Sequence, residues 1–256
     1  MRLFKLFLTW LLPWIAAAAV GAPDAQKLLE ASDAIRNPGR PFSVNVVLTE
    51  FQNGKQVDTS SLLTFSRTVE QNAQVASLVQ FVAPVRDAGK LMLKNGSDMW
   101  FYDPATKASV RLSPQQRLMG QASNGDVVTV NLARDYKATI LAAEEVQDGE
   151  RKTRRSYKLG LAASTDDATY ASIELWIDAD NSRPIKGRFF ADSGRLLKTV
   201  YYRRFMPQLG IERPTEIVII DGLNPQSVTL MRFSDYAARV MPSNWFQRDY
   251  LPRFQP

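Results

Sequence analysis

The chain contains neither histidine nor cysteine. Without imidazole or thiolate it can build no Ser-His-Asp or Cys-His nucleophile pair, no nitrogen- or sulfur-ligated zinc site and no disulfide. Covalent chemistry would have to rest on carboxylates, lysines, hydroxyls or an oxygen-ligated metal, and the carboxylates are poorly placed for it. Glu144 and Glu145, like Asp166 and Asp167, are neighbours in sequence, and neighbours along a strand point to opposite faces. The stretch "DADN" at 178–181 opens like a calcium loop, but Arg183 stands where that loop needs glycine and Pro184 follows. No catalytic residue, metal ligand or cofactor is expected, so the chain reads as a non-enzyme.

Long apolar runs are also scarce, with one exception at the start. Arg2 and Lys5 precede an apolar stretch from Leu6 to Val20, broken by Pro13 and followed by small residues up to Pro23. That order is the grammar of a secretory signal. Residues 1–22 are expected to be a signal peptide cut near Gly21 or Ala22, and 23–256 a single domain. The stretch is shorter than the ~20 residues of a membrane span, and no cysteine stands at the cut to carry a lipid. Losing Arg2 and Lys5 lowers the formal charge from +6 to about +4. A soluble, exported, periplasmic protein with no lipid anchor follows, and no motif beside the basic residues suggests nucleic acid.

What the mature part does have is alternation. Asp24 to Arg36 carries an apolar stripe at helical spacing and is stopped by Asn37, Pro38 and Gly39. From Phe42 the period becomes two, and strand-like runs separated by turn signals such as "QNGK" (52–55), "NGSD" (95–98) and "QDGE" (147–150) continue to Tyr236. Only residues 113–136 lose the period; they read as one or two short helical turns stopped by Gly120 and Gly125. The tail "MPSNWFQRDYLPRF" is proline-spaced and reads as an irregular packed segment. About a dozen consecutive strands must curve or close to satisfy their edges. The fold expected is mainly β: an incomplete antiparallel barrel, or strongly curved sheet, with the Asp24–Arg36 helix available to cover its mouth.

Residues 89–136, "GKLMLKNGSDMWFYDPATKASVRLSPQQRLMGQASNGDVVTVNLARDY", resemble the signature block of the LolA/LolB-like outer-membrane lipoprotein-sorting family. "IELWIDADNSRPIKGRFFADSGRLLKTVYYRRF" (173–205) and "RPTEIVIID" (213–221) resemble that family's later strands in the same order. The resemblance spans the mature chain. It implies a barrel closed on one side by helices around a cavity for acyl chains. It also implies a periplasmic carrier, a monomer, that takes a lipoprotein or other lipid from an inner-membrane donor, such as a transporter, towards an outer-membrane acceptor, without covalent chemistry. A sensor of misplaced lipid or a transporter accessory protein, acting through a protein partner, is the alternative function on the same architecture.

If the barrel is hollow, strand alternation nominates the cavity residues. Phe42, Val44, Val46 and Leu48 come from the first strand, then Leu63 and Phe65, Val79 and Phe81, and Leu91 and Leu93. Trp100 and Tyr102 complete the set, although Met99 and Phe101 alternate with them and periodicity does not choose between the pairs. Apolar residues on both faces are expected where one face lines the barrel and the other is covered. Leu118 and Met119 are candidates for a lid, the segment Ser113 to Gly125 hinged at Gly120 and Gly125, methionine being an adaptable contact for varied ligands. Plain core packing is the competing reading for each of these residues. The basic runs at 151–158 and 203–204 fit either an anionic surface or a charge-protected strand edge.

Overall fold

The computed structural model describes residues 23–69, 74–166 and 168–256; the expected signal peptide lies outside them. Helix α1 (Ala25–Arg36) starts where the Asp24 side chain accepts from the Gln26 and Lys27 amides, and ends at Asn37 before Pro38. Six strands follow in a meander: β1 (Phe42–Gln52), β2 (Lys55–Val69), β3 (Gln74–Ala83), β4 (Leu91–Asn95), β5 (Asp98–Asp103) and β6 (Ala108–Arg111). The β1–β2 turn places Asn53 and Gly54 at positive φ (52° and 76°), as the Asn-Gly pair foretells.

A second meander holds β9 (Tyr136–Gln147), β10 (Thr153–Ala163), β11 (Ser172–Asp178), β12 (Pro184–Phe190), β13 (Leu196–Gln208), β14 (Ile211–Asp221) and β15 (Ser227–Ala238). The two are joined where β15 pairs antiparallel with β1, which makes one 13-stranded antiparallel sheet with β6 and β9 at its edges. The sheet is therefore not closed into a barrel.

This order has a topological consequence. The chain leaves the sheet at one edge, β6, and must re-enter it at the opposite edge, β9. Residues 112–135 make that crossing. They contain β7 (Arg117–Met119) and β8 (Ala122–Ser123), a 3-10 turn at Asn124–Asp126 and the single-turn helix α2 (Leu132–Asp135). The helical turns expected here are present from Asn124 onward, but Leu118 and Met119 stand in a short two-stranded ribbon. The C-terminal tail forms 3-10 turns at Ser243–Phe246 and Arg248–Arg253.

Two apolar cores result, one on each face of the sheet. The larger lies on the concave face, between the sheet, α1 and the crossing segment. The smaller lies on the convex face of β2–β5, beneath Met241, Trp245, Phe246 and Leu251 of the tail. Phe65, Trp245 and Phe254 meet there edge to face, with centroids 4.9 to 5.7 Å apart.

Candidate ligand-binding concavity

Strand register decides which side chains face the concavity. Val44 pairs with Thr64 and Val46 with Leu62; Leu62 pairs with Phe81 and Thr64 with Val79. Val79 in turn pairs with Met92 and Met92 with Phe101. On the other side, Leu48 faces Met231, which faces Ile217 and then Tyr202. Directly opposed residues share a face, so one apolar surface runs across the whole sheet.

The expected cavity set is divided by this register. Phe42, Val44, Val46, Leu48, Val79 and Phe81 are brought together on the concave face. Leu63, Phe65, Leu91, Leu93, Trp100 and Tyr102 lie on the convex face, in the core covered by the tail. Their concave counterparts are Leu62, Met92, Met99 and Phe101. The expectation of a strand apolar on both sides holds, but the phase is reversed on β2, β4 and β5, while β1 and β3 keep the expected one. Leu62 is followed on its face by Thr64 and Ser66, which read as the wet side of the strand; in the structure both are buried.

These hydroxyls are buried because the crossing segment needs partners. Its residues 118–131 lie as a strap over the concave face. Thr64 donates to the Val127 carbonyl (3.3 Å), the Ser66 and Thr129 hydroxyls are 2.7 Å apart, and the Thr129 amide donates to Ser77 (3.1 Å). The Gln121 amide donates to Thr229 on β15 (2.8 Å). Between these polar contacts Ala122, Val127, Val128 and Leu132 are buried in the concave core, with Leu118 and Met119 packed partly against it.

Helix α1 completes the cover and is fastened to both neighbours. Gln26 donates to the Ala133 carbonyl (2.6 Å) and accepts from the Ala138 amide (3.0 Å), while Asn37 donates to the Val130 carbonyl (2.8 Å). Asp33 accepts from the Ala133 amide (2.7 Å) and from Arg36 (2.5 Å). Burial raises the Asp33 carboxyl above its ordinary range, and Arg36 partly offsets that. Arg213 of β14 donates to the carbonyls of Ala34 (3.0 Å) and Ile35 (2.7 Å), where a helix end carries partial negative charge.

With the strap in place little empty space remains. Two cavities of about 80 Å³ flank residues 126–130, one against Val200, Ile219 and Met231, the other against Val44, Val46 and Phe233. A site for a drug-sized ligand spans roughly 300–1,000 Å³, so a lipid could enter only by displacing the cover. An open groove of about 440 Å³ at the end of α1 shares Asn37, Phe42 and Thr129 with the second cavity and leads outward.

The strap also carries a buried charge. Lys198 on β13 is buried on the concave face and ion-paired with Asp126 of the strap. Burial pulls the Lys198 ammonium below its ordinary range, and Asp126 works against that. Tyr170 donates to Asp126 (2.8 Å), and burial first, then the Asp126 charge, pushes its phenol well above the ordinary value. No periodicity in the sequence marks this cluster; a lone lysine in an apolar strand is the only signal.

The basic runs are largely neutralised. Arg154 pairs with Asp148, Arg155 with Asp180 and Lys158 with Glu174, while Arg203 and Arg204 share Glu216. They lie mainly on β10 and β13, which are interior strands, so they do not protect a sheet edge. Among the described residues no group of three or more acidic side chains could hold a metal ion, and no helix is long and apolar enough to cross a membrane.

An open antiparallel sheet with an apolar concave face, covered by an N-terminal helix and an edge-to-edge strap, defines the class. Among solved structures, a LolA superfamily protein from Nitrosomonas europaea is 34% identical over 90% of this chain and all of its own length, with a TM-score of 0.79. A DUF1329 family protein from Desulfovibrio piger (21% identical, 88% of this chain and 97% of that one) also superimposes, with a TM-score of 0.74. So does an outer membrane lipoprotein-sorting protein domain from Vibrio parahaemolyticus (18% identical, 90% and 98%), again with a TM-score of 0.74. A family model described only as an uncharacterized protein matches residues 73–253. No curated protein matches. The chain belongs to the LolA superfamily.

Proposed function

We propose that this protein is a periplasmic carrier that holds an acyl chain, of a lipoprotein or another lipid, between the concave face and its cover. Residues 1–22 direct export and are removed; 23–256 act as one domain and do no covalent chemistry. The donor is an inner-membrane component such as a transporter, and the acceptor lies at the outer membrane. The observation that carries this reading is the cover: an apolar face spanning the sheet is sealed by a separate segment tied down through a few hydroxyl and amide contacts. The lipoprotein-sorting role of the structural neighbour from Vibrio parahaemolyticus supports it.

The energetics favour reversible exchange. Displacing the strap together with the adjoining turn α2 exposes Val127, Val128 and Leu132, each worth roughly 1.5–3 kcal/mol of burial. A long acyl chain offers on the order of 10 kcal/mol at ~0.8 kcal/mol per CH₂. The two terms are similar in size, so loading needs no fuel and release needs only an acceptor that binds somewhat better.

Native mass spectrometry of protein purified gently from its own envelope tests this directly. The expected result is a stoichiometric adduct in the lipid mass range that dissociates as an acylated species. A clean apo mass that persists after incubation with envelope lipids would sink the carrier reading.

A further inference from the structure

Among the described residues, every hydrogen-bond acceptor of Lys198 belongs to the strap. Its Nζ donates to the Asp126 carboxylate, and to the Gln121 carbonyl and the Ser123 hydroxyl at 3.4 Å each. On its other side lie the rings of Tyr170 (4.8 Å) and Phe189 (5.9 Å). Its cross-strand neighbour Asp221 turns one carboxylate oxygen to the Leu223 and Asn224 amides and faces Arg117 at 3.9 Å with the other. When the strap leaves, Lys198 loses all three of these acceptors, an expensive change for a buried cation.

The scaffold around Asp126 is already shaped for a carboxylate. Lys198 binds one oxygen and the Tyr170 hydroxyl binds the other. Tyr170 is held in turn by Tyr136, whose hydroxyl donates to the Tyr170 carbonyl (3.0 Å) and accepts from its amide (3.1 Å). Beside them the buried Thr169 hydroxyl has no partner, and it lines the same 80 Å³ cavity as Asp126 and Tyr170. Val200, Ile217, Ile219 and Met231 give that cavity an apolar wall, and Arg36 and Asp135 also line it. Two hydroxyls, with Lys198 behind Asp126, thus stand beside this slot.

We infer that Lys198, Tyr170 and Thr169 form a headgroup site for an amphiphile with one acyl chain and a carboxylate, and that Asp126 of the strap occupies this site as an internal substitute when no ligand is bound. The ligand's carboxylate replaces Asp126 and its chain replaces the strap valines on the concave wall. The exchange keeps Lys198 paired in both states, which a neutral lipid would not do. The inference rests on the acyl-carrier reading and narrows its cargo.

The test compares hexadecanoate with hexadecanol, equal in chain length and different in charge, by calorimetric titration of the purified protein. The wild type is expected to bind hexadecanoate tighter by about tenfold or more, the scale of a charge-assisted hydrogen bond. Lys198→Met is expected to remove that preference while retaining hexadecanol binding, and Asp126→Asn to strengthen hexadecanoate binding by removing the competitor. Equal affinities in the wild type, a measurement that needs no variant, would overturn the headgroup site and leave the acyl cavity standing. Binding of neither ligand would overturn the acyl cavity and the headgroup site with it.

Discussion

Glu216 on the convex face is buried between charges, accepting from Arg203 (2.5 Å) and Arg232 (2.8 Å), with Arg204 at 3.3 Å. Burial alone would raise its carboxyl, but the hydrogen bonds from Arg232 and Arg203 outweigh it and hold the value below the ordinary range. A depressed carboxyl contributes stability above its unfolded value of about 4.3 and loses that contribution as pH falls through the folded value. Glu216→Gln is therefore expected to lower stability at pH 7 by roughly 1–2 kcal/mol, since the half-exposed arginines are screened by water. It should also flatten the acid limb of the stability curve, and urea midpoints from pH 7 down to 3 measure both. Gly125 tests the strap at the same scale. A Cβ there would meet the buried Thr169 side chain at 2.5 and 2.6 Å. Gly125→Ala is expected to loosen residues 118–131 while the strands keep their protection, read by hydrogen exchange; uniform loss of protection would mean that the strap and sheet are one cooperative unit.

At the scale of elements, the strands and their turns were legible because alternation, Asn-Gly turns and the Asp24 cap are local features that neighbouring residues enforce. The phase of the faces was legible on β1 and β3 but not on β2, β4 and β5. Between β2 and β3 the register shifts at Ser61/Leu62, and the concave face of β2 carries Thr64 and Ser66 because the strap supplies their partners from more than sixty residues away. Leu63, Phe65, Leu91 and Leu93 look inward by hydrophobicity alone, since the tail that covers them is distant in sequence and lacks periodicity. Residues 113–136 had to leave the strand pattern, yet only the sheet order reveals that they bridge its two edges. The attachment of α1 is equally non-local. Arg213 is the sheet's grip on the helix end, so Arg213→Leu is expected to cost about 1–3 kcal/mol from the unsatisfied Ala34 and Ile35 carbonyls. Faster amide exchange confined to α1 would accompany it; unchanged exchange in α1 would show that Gln26, Asp33 and Asn37 suffice to hold the helix.

For the whole molecule, one sheet separates two apolar layers with different duties. The convex layer is closed by the chain's own tail, with Asn95 donating to the Phe246 carbonyl (3.0 Å) and the Arg248 guanidinium over the Trp100 ring at 4.1 Å. Nothing about it needs to open, so it acts as the rigid back that keeps the curved sheet in shape. The concave layer is closed by a segment whose removal leaves the sheet paired, because the crossing residues contribute no strand to it. Stability and ligand affinity should then separate by face. Trp245→Ala removes an aromatic anchor from the convex core and is expected to cost about 3–5 kcal/mol, with acyl binding per folded molecule unchanged. Val200→Phe grows into the 80 Å³ cavity on the concave side, where spare volume limits the usual overpacking penalty of roughly 1–3 kcal/mol. It should weaken acyl binding while leaving the thermal midpoint nearly unchanged. Thermal scans and hexadecanoate titrations on the two variants measure this separation. If Trp245→Ala loses acyl binding in proportion to its stability, or Val200→Phe binds like the wild type, the ligand does not occupy the concave layer.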